Sequence, residues 1–173
     1  MIVGILKERV VEEKRVSMTP AGVEQMIRNG HTVLIERNAG KGSGFGDDAY
    51  AKVGGKVLTT AGQLFRQADM VMHVKQPLPE EYKQIRRGQI VFTFLHLAAN
   101  ETLTKVLIDS GAIGIAYETV QKKNGSLPLL IPMSEVAGRM SIQQGARFLE
   151  MPQGGQGILL GGVPGVKPAT VVI

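Results

Sequence analysis

Three ionisable residues each follow directly on a short apolar run. Lys75 follows residues 70–74, His96 follows residues 90–95, and Glu118 follows residues 112–117. A fourth, Arg15, sits between the first apolar run, residues 2–6, and a segment that opens as a helix at Thr19-Pro20. These types suit one kind of chemistry on a small carbonyl acid. A guanidinium grips a carboxylate as a bidentate fork, an ammonium polarises a carbonyl oxygen, and an imidazole moves a proton. Each has a plainer reading. A lysine at a strand end is usually a solvated loop residue, a histidine after an apolar run is often structural, and Arg15 could simply pair with Glu12 or Glu13. Glu118 reads as a hydrogen-bonding partner that organises the loop after it. His31 and His73 receive no role.

The elements that must position these groups alternate strand with helix. Apolar runs at residues 2–6, 32–35, 70–74, 90–95 and 112–117 are separated by helix-period segments, which predicts an α/β fold with a mostly parallel sheet covered on both faces. The fold class is Rossmann-like or flavodoxin-like. Thr19 suits an N-cap, Pro20 a first helical turn and Gly30 a left-handed stop; Asn100 and Gly111 bracket a second helix in the same way. Shorter helices are predicted over residues 79–86 and after Asp47-Asp48, with a weak strand and helix within residues 56–66. If each apolar run is a parallel strand, Lys75, His96 and Glu118 all end on one rim, where open α/β sheets bind ligands.

After Glu118 the pattern changes. Lys122-Lys123-Asn124-Gly125 reads as a turn, Pro128 and Pro132 punctuate a linker, and Ser134 is expected to cap a helix ending near Glu150. Residues 152–168 have the glycine- and proline-rich composition of a loop. Residues 169–173 then read as the opening strand of a nucleotide-binding βαβ unit. The expected division is a substrate and catalytic domain over 1–131, then a crossover helix, loop and first strand of an NAD-binding domain over 132–173.

Composition excludes several classes. The chain has no cysteine, so thiolate metal sites, disulfides and cysteine nucleophiles are out. No acidic or histidine cluster suggests a metal. The net charge of +5 is spread among acidic residues rather than gathered in a block, and five Phe and three Tyr offer no stacking platform, so nucleic acid is not an expected partner. No apolar run approaches the roughly 18 residues of a membrane span, and the N-terminus lacks a signal-peptide pattern, so a cytoplasmic location is expected. The string Gly40-Lys41-Gly42-Ser43-Gly44-Phe45-Gly46 fits neither dinucleotide nor Walker spacing and is read as a tight surface turn.

Several stretches together carry a family resemblance. They are Lys7-Glu8 with Arg15-Val16, Thr19-Pro20-Ala21-Gly22-Val23-Glu24, Gly42-Ser43-Gly44-Phe45, Pro77-Leu78-Pro79-Glu80-Glu81-Tyr82 and Phe92-Thr93-Phe94-Leu95-His96-Leu97-Ala98-Ala99. To these add Ala116-Tyr117-Glu118-Thr119-Val120-Gln121, Pro132-Met133-Ser134-Glu135-Val136-Ala137-Gly138-Arg139-Met140 and Leu160-Gly161-Gly162-Val163-Pro164-Gly165-Val166. Along its whole length the chain resembles the alanine dehydrogenases, which interconvert L-alanine with pyruvate and ammonia using NAD. The resemblance implies that Arg15 binds the substrate carboxylate, Lys75 holds and polarises its carbonyl oxygen, and His96 is the general acid-base. Met133 would border the substrate and Ser134 the cofactor. It also implies a cytoplasmic homo-hexamer for the complete protein. His73 and Gln76 stand where the family more often has Lys and Glu, and Phe94 replaces a usual Tyr. The family's glycine fingerprint is missing, so the chain alone is expected to be inactive. The alternatives are the nucleotide-binding subunit of proton-translocating transhydrogenase, which has no need of His96 and Lys75 as substrate groups, and a non-catalytic remnant.

Overall fold

In the computed structural model, which describes residues 1–172, the chain divides into two compact units, residues 1–120 and 121–173. The first unit is built on six strands: β1 (Ile2–Ile5), β2 (Thr32–Glu36), β3 (Lys56–Leu58), β4 (Met70–Met72), β5 (Ile90–Thr93) and β6 (Ile113–Ala116). They lie in the order β3-β2-β1-β4-β5-β6, and every pairing is parallel. This is the doubly wound Rossmann order; the flavodoxin order would place β3 beside β1.

Five helices connect the strands: α1 (Pro20–Arg28), α2 (Asp47–Lys52), α3 (Ala61–Gln67), α4 (Pro79–Tyr82) and α5 (Glu101–Ser110). The caps follow from local chemistry. The Thr19 side chain accepts from Gly22 N, Pro20 fills the first turn, and Gly30 turns back at φ +81°. Asn100 accepts from Leu103 N and Gly111 ends α5 at φ +65°. The α4 helix is half its expected length, because the Glu81 side chain folds back onto Leu78 N and closes a single turn.

Strand alternation sorts the core into two layers. Leu34, Val71 and Val91 face one side with Leu64 and Phe65 of α3 and Leu103 and Leu107 of α5. Val33 and Ile35 face the other with Val23 of α1 and Tyr50 of α2. Burying a side chain such as Leu64 or Phe65 contributes roughly 1.5–3 kcal/mol each, which makes these layers the scaffold of the rim. The edge strand β6 is thinly covered, with Ile113 half exposed.

The second unit carries α6 (Ile131–Leu149). Two expectations fail here. Ser134 is not a cap, since its N–H bonds the Leu130 carbonyl from inside the helix. The start moves to Leu130 because Pro132 fits the first turn instead of breaking a linker. Residues 169–172 make no strand ladder, for a strand needs a neighbour and the described residues offer none; residue 173 lies outside them. The turn at residues 122–125 is present, closed by Gly125 N on the Lys122 carbonyl with φ +83°. Among the described residues no helix is long and apolar enough to cross a membrane.

Candidate active site

Strand order reverses between β1 and β4, and the loops leaving their carboxyl ends flank the resulting crevice. Arg15 lies in the loop after β1, and Lys75 lies just beyond β4. Glu13 joins them. Arg15 donates from Nε to Glu13 Oε1 at 2.8 Å and from Nη2 to Oε2 at 2.7 Å, while the Arg15 backbone N–H reaches Oε1 at 2.9 Å. The Glu13 side chain is 8% exposed and that of Arg15 44%. Hydrogen bonding from the guanidinium outweighs partial burial and draws the Glu13 carboxyl down to about 2, with a smaller pull from the Lys75 ammonium. The anticipated salt bridge exists, and it is bidentate. Glu12 instead pairs loosely with Lys14, at 3.6 Å.

The backbone of Lys75 is clamped from both neighbouring strands. Its N–H donates to Glu8 Oε2 at 3.2 Å, and its carbonyl accepts from Thr93 Oγ1 at 2.8 Å. Glu8 is the hub. Its Oε1 accepts from Val74 N at 2.7 Å and lies 3.2 Å from His73 Nδ1. On the other side of His73, Nε2 stands 3.5 Å from Glu81 Oε1, an ion-pair separation rather than a hydrogen bond. Arg9 continues the chain, reaching Glu81 Oε1 at 3.1 Å and Glu36 Oε1 at 2.5 Å, and Glu36 accepts from Lys7 N. Three nearly buried carboxylates and two cations thus tie the loop after β1 to the tip of β4 and to α4. Charges so placed are tolerable only when paired.

His96 occupies the same rim one strand further on, after β5. Its backbone is left-handed at φ +48° and ψ +39°, a sparsely populated conformation for a residue with a Cβ. Glu118 holds it there, one oxygen accepting from both Leu95 N at 3.1 Å and His96 N at 2.8 Å. Glu118 therefore organises the loop after β5, not the loop after itself. Phe94 stacks on the imidazole at 6.0 Å between ring centres.

Arg15 and Glu13 line a cleft of about 320 Å³ together with Lys7, Glu8, Lys14 and Lys41. His96 and Glu118 line a second cleft of about 490 Å³. Two strand spacings, about 10 Å, separate β1 from β5. Met133 and Ser134 are exposed on α6, in the second unit. A cavity of about 790 Å³ in that unit is mostly apolar, and Lys167 is its one charged lining residue.

The glycine string is a short 3-10 turn, Lys41–Ser43, but it is not merely superficial. Ser43 Oγ donates to the Lys14 carbonyl at 2.8 Å, and a Cβ at Gly42 would stand 2.7 Å from that same oxygen. The turn therefore buttresses the loop that carries Arg15. Replacing Gly42 by Ala must push one backbone off the other, and we expect a loss of about 1–3 kcal/mol in urea unfolding together with shifted Lys14 and Arg15 amides. A variant as stable as the parent would contradict the close approach.

The glycine string after β2 does not fit a dinucleotide. The glycines after β2 lack the fingerprint spacing and lead into a helix of only six residues, and Gly42 packs on Lys14. No group of three or more His, Asp or Glu among the described residues could hold a metal ion. Sequence reasoning missed Glu8, Arg9, Glu36, His73 and Glu81. The available signal was His73 itself, a polar side chain within an apolar run, which demands a buried partner.

Comparison with known proteins agrees with this fold. Residues 4–137 match the family described as "Alanine dehydrogenase/PNT, N-terminal domain", and residues 141–173 match its "C-terminal domain". An alanine dehydrogenase of Methanococcus maripaludis is 54% identical over all 173 residues, which correspond to 46% of that protein. A solved L-alanine dehydrogenase superposes at a TM-score of 0.87 with 51% identity, covering 97% of this chain and 46% of the other. A transhydrogenase from Sinorhizobium meliloti reaches 0.64 at 30% identity, over 68% and 35%. The chain spans about half the length of the relatives it matches, and it belongs to the alanine dehydrogenase/PNT family.

Proposed function

We propose that this chain is the substrate-binding part of an NAD-dependent alanine dehydrogenase, which interconverts L-alanine with pyruvate and ammonia. The observation that carries the reading is the Arg15 fork. Beside the switch point, it already grips a carboxylate, that of Glu13, in the geometry a 2-keto acid would use. Arg15 takes the substrate carboxylate, exchanging it for Glu13 or sharing it. The Lys75 ammonium, close enough to act on that same carboxylate, holds the carbonyl oxygen.

His96 then works on that oxygen. Addition of ammonia to pyruvate gives a carbinolamine, whose hydroxyl leaves as water after accepting a proton; the reverse direction returns the proton to the imidazole. Glu118 fixes the His96 backbone through its N–H, and Phe94 stacks on one face of the ring. Met133 serves the substrate side and Ser134 the cofactor side. The nicotinamide cofactor is the hydride partner. Hexameric assembly and a cytoplasmic location belong to the same reading. The transhydrogenase alternative is weaker, since hydride exchange between two nucleotides gives Lys75 and His96 nothing to do.

The test is a fusion of this chain to the part of the Methanococcus maripaludis enzyme beyond its match. The fusion should form NADH from L-alanine, and the 173 residues alone should not. Turnover by the chain alone would overturn the incomplete site; a folded fusion without turnover would overturn the dehydrogenase reading.

A further inference from the structure

The proposed chemistry leaves His73 unused, although it is the most deeply buried imidazole among the described residues. It is 3% exposed. Groups face it from every element packed around it. Glu8 comes from the loop after β1, Glu81 from α4, and Arg9 stands behind Glu81 with Glu36 of β2 behind that. Tyr117, after β6, lies close enough to Glu8 to feel its charge. The Glu8 carboxylate has two jobs. One side meets the His73 ring, and both oxygens accept the backbone amides of Val74 and Lys75.

We propose that His73 is the positioning residue for Lys75: its ring, clamped between Glu8 and Glu81, orients the carboxylate that fixes the Lys75 backbone at the rim. The inference rests on the reading of Lys75 as a substrate-holding residue. A cation at His73 balances two carboxylates that would otherwise repel across the network. Loss of that cation frees Glu8 to swing toward solvent or toward Arg9, and the two amides it holds go with it.

The device responds to alkaline pH. Burial alone would push the ring toward neutrality, but Glu8 and Glu81 outweigh it and raise its pKa to about 9. The folded value lies above the ordinary one, so this stabilisation is complete below about pH 6.5 and fades as pH rises through about 9.

The experiment is an NMR titration of the 173-residue chain with three residues at position 73. In the parent, the Val74 and Lys75 amides should shift with the His73 ring, at a midpoint near pH 9. In His73→Lys, which keeps the cation, they should stay at the low-pH positions through that range. In His73→Gln they should sit displaced at every pH. A ring that titrates near its ordinary value, or amides that ignore it, overturns the proposal. In the fusion enzyme, His73→Gln should raise KM for pyruvate about tenfold with kcat within about twofold, the scale of one charge-assisted hydrogen bond, and His73→Lys should restore it. Amides that follow the ring alongside an unmoved KM would leave the brace standing and sink the substrate role of Lys75 instead.

Discussion

His96→Ala in the fusion enzyme is expected to lower kcat by about 10²- to 10⁴-fold, the usual contribution of a positioned general acid-base. KM for pyruvate should change far less, because in the proposed mechanism Arg15 holds the carboxylate and Lys75 the carbonyl oxygen. The loss belongs to the ring and not to the fold. His96 is exposed, and its backbone is held through its own N–H by Glu118, a bond that alanine keeps. Alanine in fact gives up little at this strained φ beyond what the histidine already tolerates. Steady-state kinetics with L-alanine and with pyruvate should show equal falls in both directions, since the same proton moves each way. A variant retaining more than about a tenth of the parent kcat would exclude His96 as the acid-base.

The second large effect is on stability. Glu81→Ala should destabilise the chain by about 3–5 kcal/mol in urea unfolding at neutral pH, the scale for breaking a buried ion pair from one side. The Glu81 side chain is 2% exposed; removing it strips one carboxylate from both Arg9 and His73 and leaves the Leu78 N–H without its acceptor. Against a total of about 5–15 kcal/mol for a domain, that is a large share. Lys105→Ala is the control. Its partner Glu101 is a solvent-exposed helix neighbour four residues away, and such pairs contribute about 0.3–0.5 kcal/mol. If both variants unfold at the same urea concentration, the carboxylate cluster is solvated and the account of the rim is wrong.

How much of this was legible in the sequence depends on the range of the interaction. Thr19, Pro20 and Gly30 mark α1 because a cap is a contact within three residues, and the same holds for Asn100 and Gly111. Apolar runs found five strands, and the weak strand and helix within residues 56–66 proved real. Arg15, Lys75 and His96 stood out because a parallel sheet sends every strand end to one rim, so position along the chain gives position in space. Ser134 misled, because a serine four residues into a helix looks like a cap when Pro132 is read as a breaker. The carboxylate network was invisible for a different reason. Glu8 and His73 are 65 residues apart, and no local pattern says which buried acid meets which base. Glu118 was recognised as a hydrogen-bonding group, yet its target across a neighbouring strand could only be seen in the fold.

The Glu13 side chain seated in the Arg15 fork has a consequence for how a substrate arrives. A vacant guanidinium would draw anions from a distance and favour any of them. Here the arm is already paired with Glu13, and in the proposed mechanism an incoming keto acid would displace or share a tethered competitor that is always present at high local concentration. Capture then rewards a ligand that also satisfies Lys75 and His96, and simple carboxylates such as acetate, which offer only the first handhold, gain nothing by the exchange.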